Sequence, residues 1–292
     1  MNGGREQQYV AYLFVIPALV YVLAIFAYPF GYAVYLTFVD SGLNRPTTFV
    51  GLENYKAVLT DALFWRTLST TVSFTLLSVP VIVVGALGAA LALQSSFRLV
   101  FRGFFKTLYF LPVVASLVAT ALIWILLLNP TFGLVNSLLG SAGLPKPSWL
   151  EGTDTVVPTL AMLYVWARLG FATIIFIAGL EGIPQEFFEA ARIDGAGRMS
   201  LFRHVTLPLV RPQLLLVTVL ETIFALKVFA LPFAATYGGP ANASRTVVMH
   251  IYTLAFEFFR TGEAAVVAVL LFVMILVFTA FQRWATPRVL AG

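Results

Sequence analysis

Cysteine is absent from this 292-residue chain, so neither a disulfide framework nor thiolate chemistry is open to it. Charge is scarce as well: Asp, Glu, Lys and Arg make up only 11% of the residues, against roughly 25% in a soluble domain. Histidine occurs twice, as His204 and His250. In the topology derived below the two fall on opposite sides of a membrane, which leaves no shared metal site and no histidine dyad. A G-x-x-x-x-G-K-[ST] phosphate loop is missing, so the chain does not itself bind and hydrolyse ATP through that motif. Intramembrane proteolysis would want a buried Ser–His pair or two aspartates within the spans, and neither occurs. No catalytic residue and no metal ligand is therefore assigned, and an enzyme is not expected.

What is present is apolar. Hydrophobic residues make up 60% of the chain and the mean hydropathy is +0.93, which reads as a membrane protein. At roughly 20 residues per spanning helix, six or seven spans fit and little remains for a soluble domain. Net charge is +5 and the pI about 9.6, but the basic residues are spread through short loops between apolar segments. That distribution speaks for topology rather than for nucleic acid.

Six apolar stretches stand out, at about 9–38, 66–94, 104–128, 156–180, 212–236 and 262–284. The first is too long for a signal-peptide core of about 7–15 residues; with Pro17 and Pro29 it is expected to kink, or to end near Tyr28 and resume. The second carries Gly85, Gly88, Ala89 and Ala92, a small-residue stripe that lets a neighbouring helix approach. With six spans both termini share one side, together with residues 95–103 and 181–211. That side holds ten basic residues (Arg5, Arg98, Arg102, Lys106, Arg192, Arg198, Arg203, Arg211, Arg283 and Arg288) against six on the other (Arg45, Lys56, Arg66, Lys146, Arg245 and Arg260). The positive-inside rule then places both termini in the cytoplasm. Outside loops carry a short amphipathic helix at Leu52–Leu59, the stretch "NPTFGLVNSLLG" from Asn129, and an aromatic segment, "VVMHIYTLAFEFF", expected at the membrane interface.

The loop 181–211 is a polar island with four acids and four arginines. Pro184 suits a first helical position, Glu186 and Glu189 favour the helix N-terminus, and Asp194-Gly195 supplies a stop. A second short helix is expected from about Arg198 to Val205, running into Pro208. Such an elbow, small at Ala190, Ala191 and Gly195 and flanked by Phe187, Phe188 and Met199, can press into a groove; read locally, it is equally an interfacial helix whose aromatics face lipid.

The spacing Glu189-Ala190-Ala191, three residues, Gly195, nine residues, Val205-Thr206-Leu207-Pro208 resembles the EAA motif of permease subunits in binding-protein-dependent ABC importers, with valine where isoleucine is usual. "ENYKAVL", "NPTFGLVN", "FEAARIDGAG" and "LKVFALPFAATYGGPANAS" are similar to the carbohydrate branch of that family. In the last of these Ala230 replaces an aspartate and Tyr237 a glycine. The resemblance covers roughly residues 9–284. It implies an all-α, six-helix type I importer permease, one transmembrane domain over 1–292, in the bacterial inner membrane. Implied partners are a second related permease, two ATPase subunits carrying ATP and Mg, an extracytoplasmic binding protein and a sugar; the chain itself binds no cofactor. Glu189, Ala190, Ala191, Arg192, Asp194, Gly195, Arg198 and Pro208 then belong to the ATPase-coupling loop.

Three charged residues fall well inside the apparent spans, away from their ends: Arg168, Glu221 and Lys227. Charges there are costly and mark pathways, although Arg168 and Glu221 could also form a structural pair. Rings suit the apolar faces of sugars, which brings in Trp166, Phe171 and Phe229, with Trp124 and Asn129 weaker. Open alternatives are a polyol or glycerol phosphate as substrate, met by Arg168 or Lys227, and an autonomous channel or ion-coupled carrier with Glu221 as the coupling acid.

Overall fold

The computed structural model describes residues 3–40, 47–96, 107, 109 and 111–285. Arg45, Arg98, Arg102, Lys106 and Arg288 of the charge count lie outside the described residues. Contacts group the chain into two units, Met1–Ala62 with His250–Phe272, and Leu63–Met249 with Val273–Gly292.

In the first unit, α1 (Gly3–Val22) continues through a π-helical turn, Leu23–Ala27, into α2 (Tyr28–Leu36). Of the two expected outcomes, a kink or an end near Tyr28, the end is absent. In a regular α-helix the Pro29 ring would strike the carbonyl four residues back; a wider turn just before it absorbs that conflict without ending the helix. β1 (Val39–Asp40) and β2 (Thr48–Phe49) pair antiparallel, Val39 opposite Phe49, a small ribbon that the all-α reading did not contain. The amphipathic helix expected at Leu52–Leu59 is α3 (Glu53–Thr60). Asn54 ties it to the preceding strand, its amide donating to the carbonyls of Thr37 (3.0 Å) and Val39 (2.9 Å).

The second unit holds the core. α4 (Ala62–Ser96) runs straight through Pro80. Its buried face is Ile82, Ala86, Ala90 and Leu93; of the expected stripe Gly88 and Ala92 are exposed, and Gly85, although exposed, lies close enough to a neighbour that an added Cβ would come within 3.1 Å of Leu169. A helix apolar on every side offers several small-residue stripes, and its sequence does not say which one meets a neighbour. The third span is not one helix. Helix over 111–114 stops at Ala115, and α5 (Leu117–Leu127) restarts with Ser116 as cap, its Oγ accepting from the Ala119 N–H at 3.1 Å. Serine favours that position because it satisfies a helix N–H that has no intrahelical partner. α6 (Leu134–Ser141) follows. The Trp149 indole N–H donates to Asn136 Oδ1 at 2.8 Å, closing the loop that leads to α7 (Val156–Glu181).

α7 is the central helix, burying Leu160, Leu163, Tyr164, Ala172, Phe176 and Leu180. At Gly170 an added Cβ would run into the backbone carbonyl of Tyr109 and come within 3.1 Å of Val113. Gly170→Ala is expected to cost about 1–3 kcal/mol, read as a lowered unfolding midpoint in detergent. Gly88→Ala, whose Cβ would meet nothing within 4 Å, should leave the midpoint in place.

Beyond α7 come α8 (Gln185–Ile193), α9 (Arg198–Leu201), a π turn at Phe202–Thr206, and α10 (Leu207–Leu209). The second helix of the polar loop thus reaches Leu209, past the expected stop at Val205. As at Pro29, a π turn immediately precedes the proline, here Pro208. The axis then bends by 64° into α11 (Arg211–Leu226). The fifth span is broken too: α11 ends at Lys227, and α12 (Ala230–Thr236) starts after Phe229. Tyr237 closes α12 with φ 50° and ψ 31°, the left-handed region where glycine is at ease and a bulky side chain is strained. This is the position at which the family's usual glycine is missing.

α13 (Val247–Tyr252) and a π turn at Thr253–Glu257 form the aromatic segment expected at the interface. Val247, Met249, His250 and Leu254 are buried, and Phe256, Phe258 and Phe259 are exposed. α14 (Thr261–Ala285) is last. Four helical stretches among the described residues are long and apolar enough to cross a membrane, namely Phe14–Leu36, Ala62–Gln94, Val156–Glu181 and Thr261–Ala285. The bent pair Arg198–Leu209 and Arg211–Leu226 makes a fifth if it counts as one span. For the expected span at 104–128 the described helix is the piece over 111–114 and the short α5, and residues 104–106, 108 and 110 lie outside the described set.

Candidate functional site

Two sets of residues in the second unit matter. One is a cluster where α7 meets α11. On α7, Tyr164, Arg168 and Phe171 recur at helical spacing and so share a face; on α11, Glu221 and Phe224 do the same. Packing these faces together sets a two-pronged ion pair across them. Arg168 Nε donates to Glu221 Oε2 at 3.0 Å and Nη2 to Oε1 at 2.8 Å. Glu221 is fully buried, whereas the Arg168 side chain keeps 20% of its surface open. The guanidinium carbon lies 4.8 Å from the Phe171 ring centre and 4.5 Å from that of Phe224. A planar cation held between two rings and bonded by a carboxylate fork is strongly oriented. One turn earlier, Tyr164 is buried with its ring edge-on to Phe74 at 5.2 Å, and its hydroxyl has no hydrogen-bond partner among the described residues. Next to Glu221, Thr222 accepts from Gln282 of α14 at 2.7 Å.

Of the pathway residues named from sequence, Arg168, Phe171 and Glu221 come together. Trp166 does not join them: two residues from Arg168, it faces another side of α7, where it meets Trp124 edge-on at 5.7 Å. Phe229 lies beyond the break, stacked on Phe233 at 4.8 Å. Lys227 caps the C-terminus of α11, exposed and without a side-chain bond among the described residues; a cation there is favoured by the helix dipole. The sequence reading missed Tyr164 and Phe224. Both stand one turn from a flagged ionic residue, so helical spacing alone could have found them.

The second set is the elbow that joins α7 to α11. Pro184 is the residue before the first turn of α8 rather than within it. α8 ends in a double hydrogen-bonded stop: Gly195 N–H reaches Arg192 O at 3.0 Å and Ala196 N–H reaches Ala191 O at 2.9 Å. Gly195 has φ 81°, as this stop requires of its left-handed residue. Phe188 packs against the core, which roots the elbow. Phe187, Ile193 and Met199 do the opposite, at 51%, 86% and 74% exposed. Glu189, Arg192, Asp194 and Arg198 surround this apolar tip in the open, and none of them has an ion pair among the described residues. Pro208 is half-buried inside the second helix. A tip this apolar and this exposed calls for a cover, from a partner protein or from lipid. Ile193 was not singled out from sequence, because next to the motif residues it reads as ordinary filler.

Residues 81–291 match the family described as "Binding-protein-dependent transport system inner membrane component". The trehalose/maltose transport system permease protein MalF of Thermococcus litoralis is 35% identical over 277 residues, covering 92% of this chain and 90% of that protein. The sulfoquinovosyl glycerol transport system permease protein SmoG of Agrobacterium fabrum is 31% identical over 274 residues, covering 92% and 88%. Among solved structures, a chain of a bacterial ABC transporter involved in the import of the acidic polysaccharide alginate superposes with a TM-score of 0.84 at 22% identity, with 97% of each chain covered.

Proposed function

Since the chain belongs to the family of inner membrane components of binding-protein-dependent transport systems, we propose that it forms one half of the translocation pathway of an ATP-driven importer for a neutral sugar. Two related permeases would enclose the pathway, an extracytoplasmic binding protein would deliver the solute, and two ATPase subunits holding ATP and Mg would dock on the elbow from the cytoplasm, where both termini also lie. The observation that carries the coupling role is the exposed tip Ile193–Met199 on an elbow that is continuous with both helices of the ion-paired cluster. Glu221 lies 10 residues into α11 and Arg168 13 residues before the end of α7, so the pair sits about 15–20 Å along the helices from the elbow, near mid-membrane. Movement of the elbow as a rigid body therefore moves α7 and α11 together, and the ion pair keeps them in register. The change of access must draw on contacts that differ between the two states.

Relatives support a sugar: the named ones serve trehalose/maltose and sulfoquinovosyl glycerol. The cluster supports a neutral one. Arg168 has its fork occupied by Glu221 and its planar faces covered by Phe171 and Phe224, so its charge is already answered and no bare cation is left to hold an anion. Glu221 is likewise engaged, which speaks against an ion-coupling acid. The test is co-expression with the chain's genomic neighbours, purification in detergent, and ATPase assays with the binding protein and candidate sugars. The expected result is a complex with a second permease and an ATPase whose turnover rises with a neutral sugar. Stimulation by glycerol phosphate alone would shift the reading to an anion met by Lys227. A chain that purifies alone and transports without ATP would overturn it.

A further inference from the structure

At the end of α7 remote from the elbow, a cleft of about 360 Å³ opens between the end of α5, the segment before α7, and the end of α12. Its walls include Ile125, Leu128, Asn129, Leu150, Glu151 and Thr236. We propose that this cleft is an outer sugar subsite, which holds one neutral pyranose ring through Asn129 and Glu151 before the solute enters the membrane. The inference rests on the sugar-importer reading above, and it adds a second site about a membrane's thickness from the elbow.

Volume comes first. Small-molecule sites run from roughly 300 to 1,000 Å³, so the cleft suits one ring rather than a long oligosaccharide. Its polar groups come next. Asn129 Oδ1 accepts from the N–H groups of Thr131 (2.9 Å) and Phe132 (3.2 Å). Those two bonds settle which end of the amide is oxygen, and they leave both N–H donors of Asn129 without a protein partner among the described residues. Glu151 brings the opposite capacity. It has no cation within ion-pair distance among the described residues, and a carboxylate only accepts. A hydroxyl both gives and takes a hydrogen, so a donor pair and an acceptor pair lining one cleft suit neighbouring sugar hydroxyls. Thr236 is spent elsewhere, bonded to Pro232 O at 2.9 Å and Ser244 Oγ at 2.6 Å, and so shapes the wall. Ile125, Leu128 and Leu150 supply apolar surface for the ring's C–H face. The lining contains no lysine, arginine or histidine, and the Glu151 charge turns away uronates and phosphates.

The experiment uses the assembled complex in lipid nanodiscs without its binding protein, with methyl α-D-glucopyranoside and galacturonate as probes in saturation-transfer measurements. Wild type should bind the glucoside and not the uronate. Glu151→Gln, and Asn129→Asp, which keeps the acceptor for Thr131 and Phe132 but removes the donors, should each weaken the glucoside about tenfold. Glu151→Lys should bring in galacturonate. Failure of the glucoside to bind, or equal binding by all variants, would overturn the cleft proposal; the importer reading would still stand if delivered sugar continued to stimulate the ATPase. Loss of sugar stimulation with intact binding protein would overturn both.

Discussion

Replacing Glu221 with leucine should strand the Arg168 guanidinium inside the protein, and the permease should lose about 3–5 kcal/mol of stability. The size follows from the geometry. Glu221 is fully buried, and both of its oxygens are used by one cation. Removing the carboxylate takes away the attraction but not the cost of holding a charge away from water. Arg168→Met combined with Glu221→Leu should regain most of the loss, since two apolar side chains need no partner. The measurement is the unfolding midpoint in detergent for both single variants and the double, which also yields their coupling. A double variant no better than Glu221→Leu would show that the pair is not the reason these residues sit here. A stable double variant that no longer couples ATP hydrolysis to uptake would show that the pair keeps α7 and α11 in register.

The other large effect is expected at the elbow. Ile193 and Met199 project as apolar tips that the chain itself does not cover. Burial of each in an ATPase groove is worth about 1.5–3 kcal/mol, and an aspartate there adds a desolvation cost. Ile193→Asp with Met199→Asp should therefore weaken ATPase retention at least about 100-fold, with sugar-stimulated hydrolysis lost. The permease should keep its unfolding midpoint, because neither side chain contributes to its core. Glu189→Lys, at an exposed rim position, should have a smaller, salt-dependent effect. Undiminished co-purification of the ATPase with the double aspartate variant would place the contact elsewhere.

Legibility differed by scale. Long uninterrupted apolar runs became helices within a few residues of their expected bounds, as at Val156–Glu181 and Thr261–Ala285, because length and hydropathy decide them. The broken spans were hidden in the same property. At Ala115–Ser116 and Lys227–Phe229 hydropathy stays high while the backbone turns. The stop at Ser116 was readable only as a possible cap, and the one after Lys227 depends on how α12 packs. Prolines misled in the other direction. Pro29 was expected to kink its helix or to end it, and Pro208 to end one, yet each follows a π turn through which the helix continues.

By itself the sequence determined that this protein lives in a membrane and that residues 189–208 form an elbow with a glycine stop. Those facts rest on composition and on spacing along one local stretch. Only the tertiary structure decided that Arg168 and Glu221, 53 residues apart, are one ion pair between two rings. It also decided that Trp166 faces away from them, that Ala86 and Ala90 rather than Gly85 and Gly88 are buried, and that Asn129 shares a cleft with Glu151. The reason is physical: in a helix apolar all round, periodicity no longer tells inside from outside, and only the neighbouring helices supply that distinction.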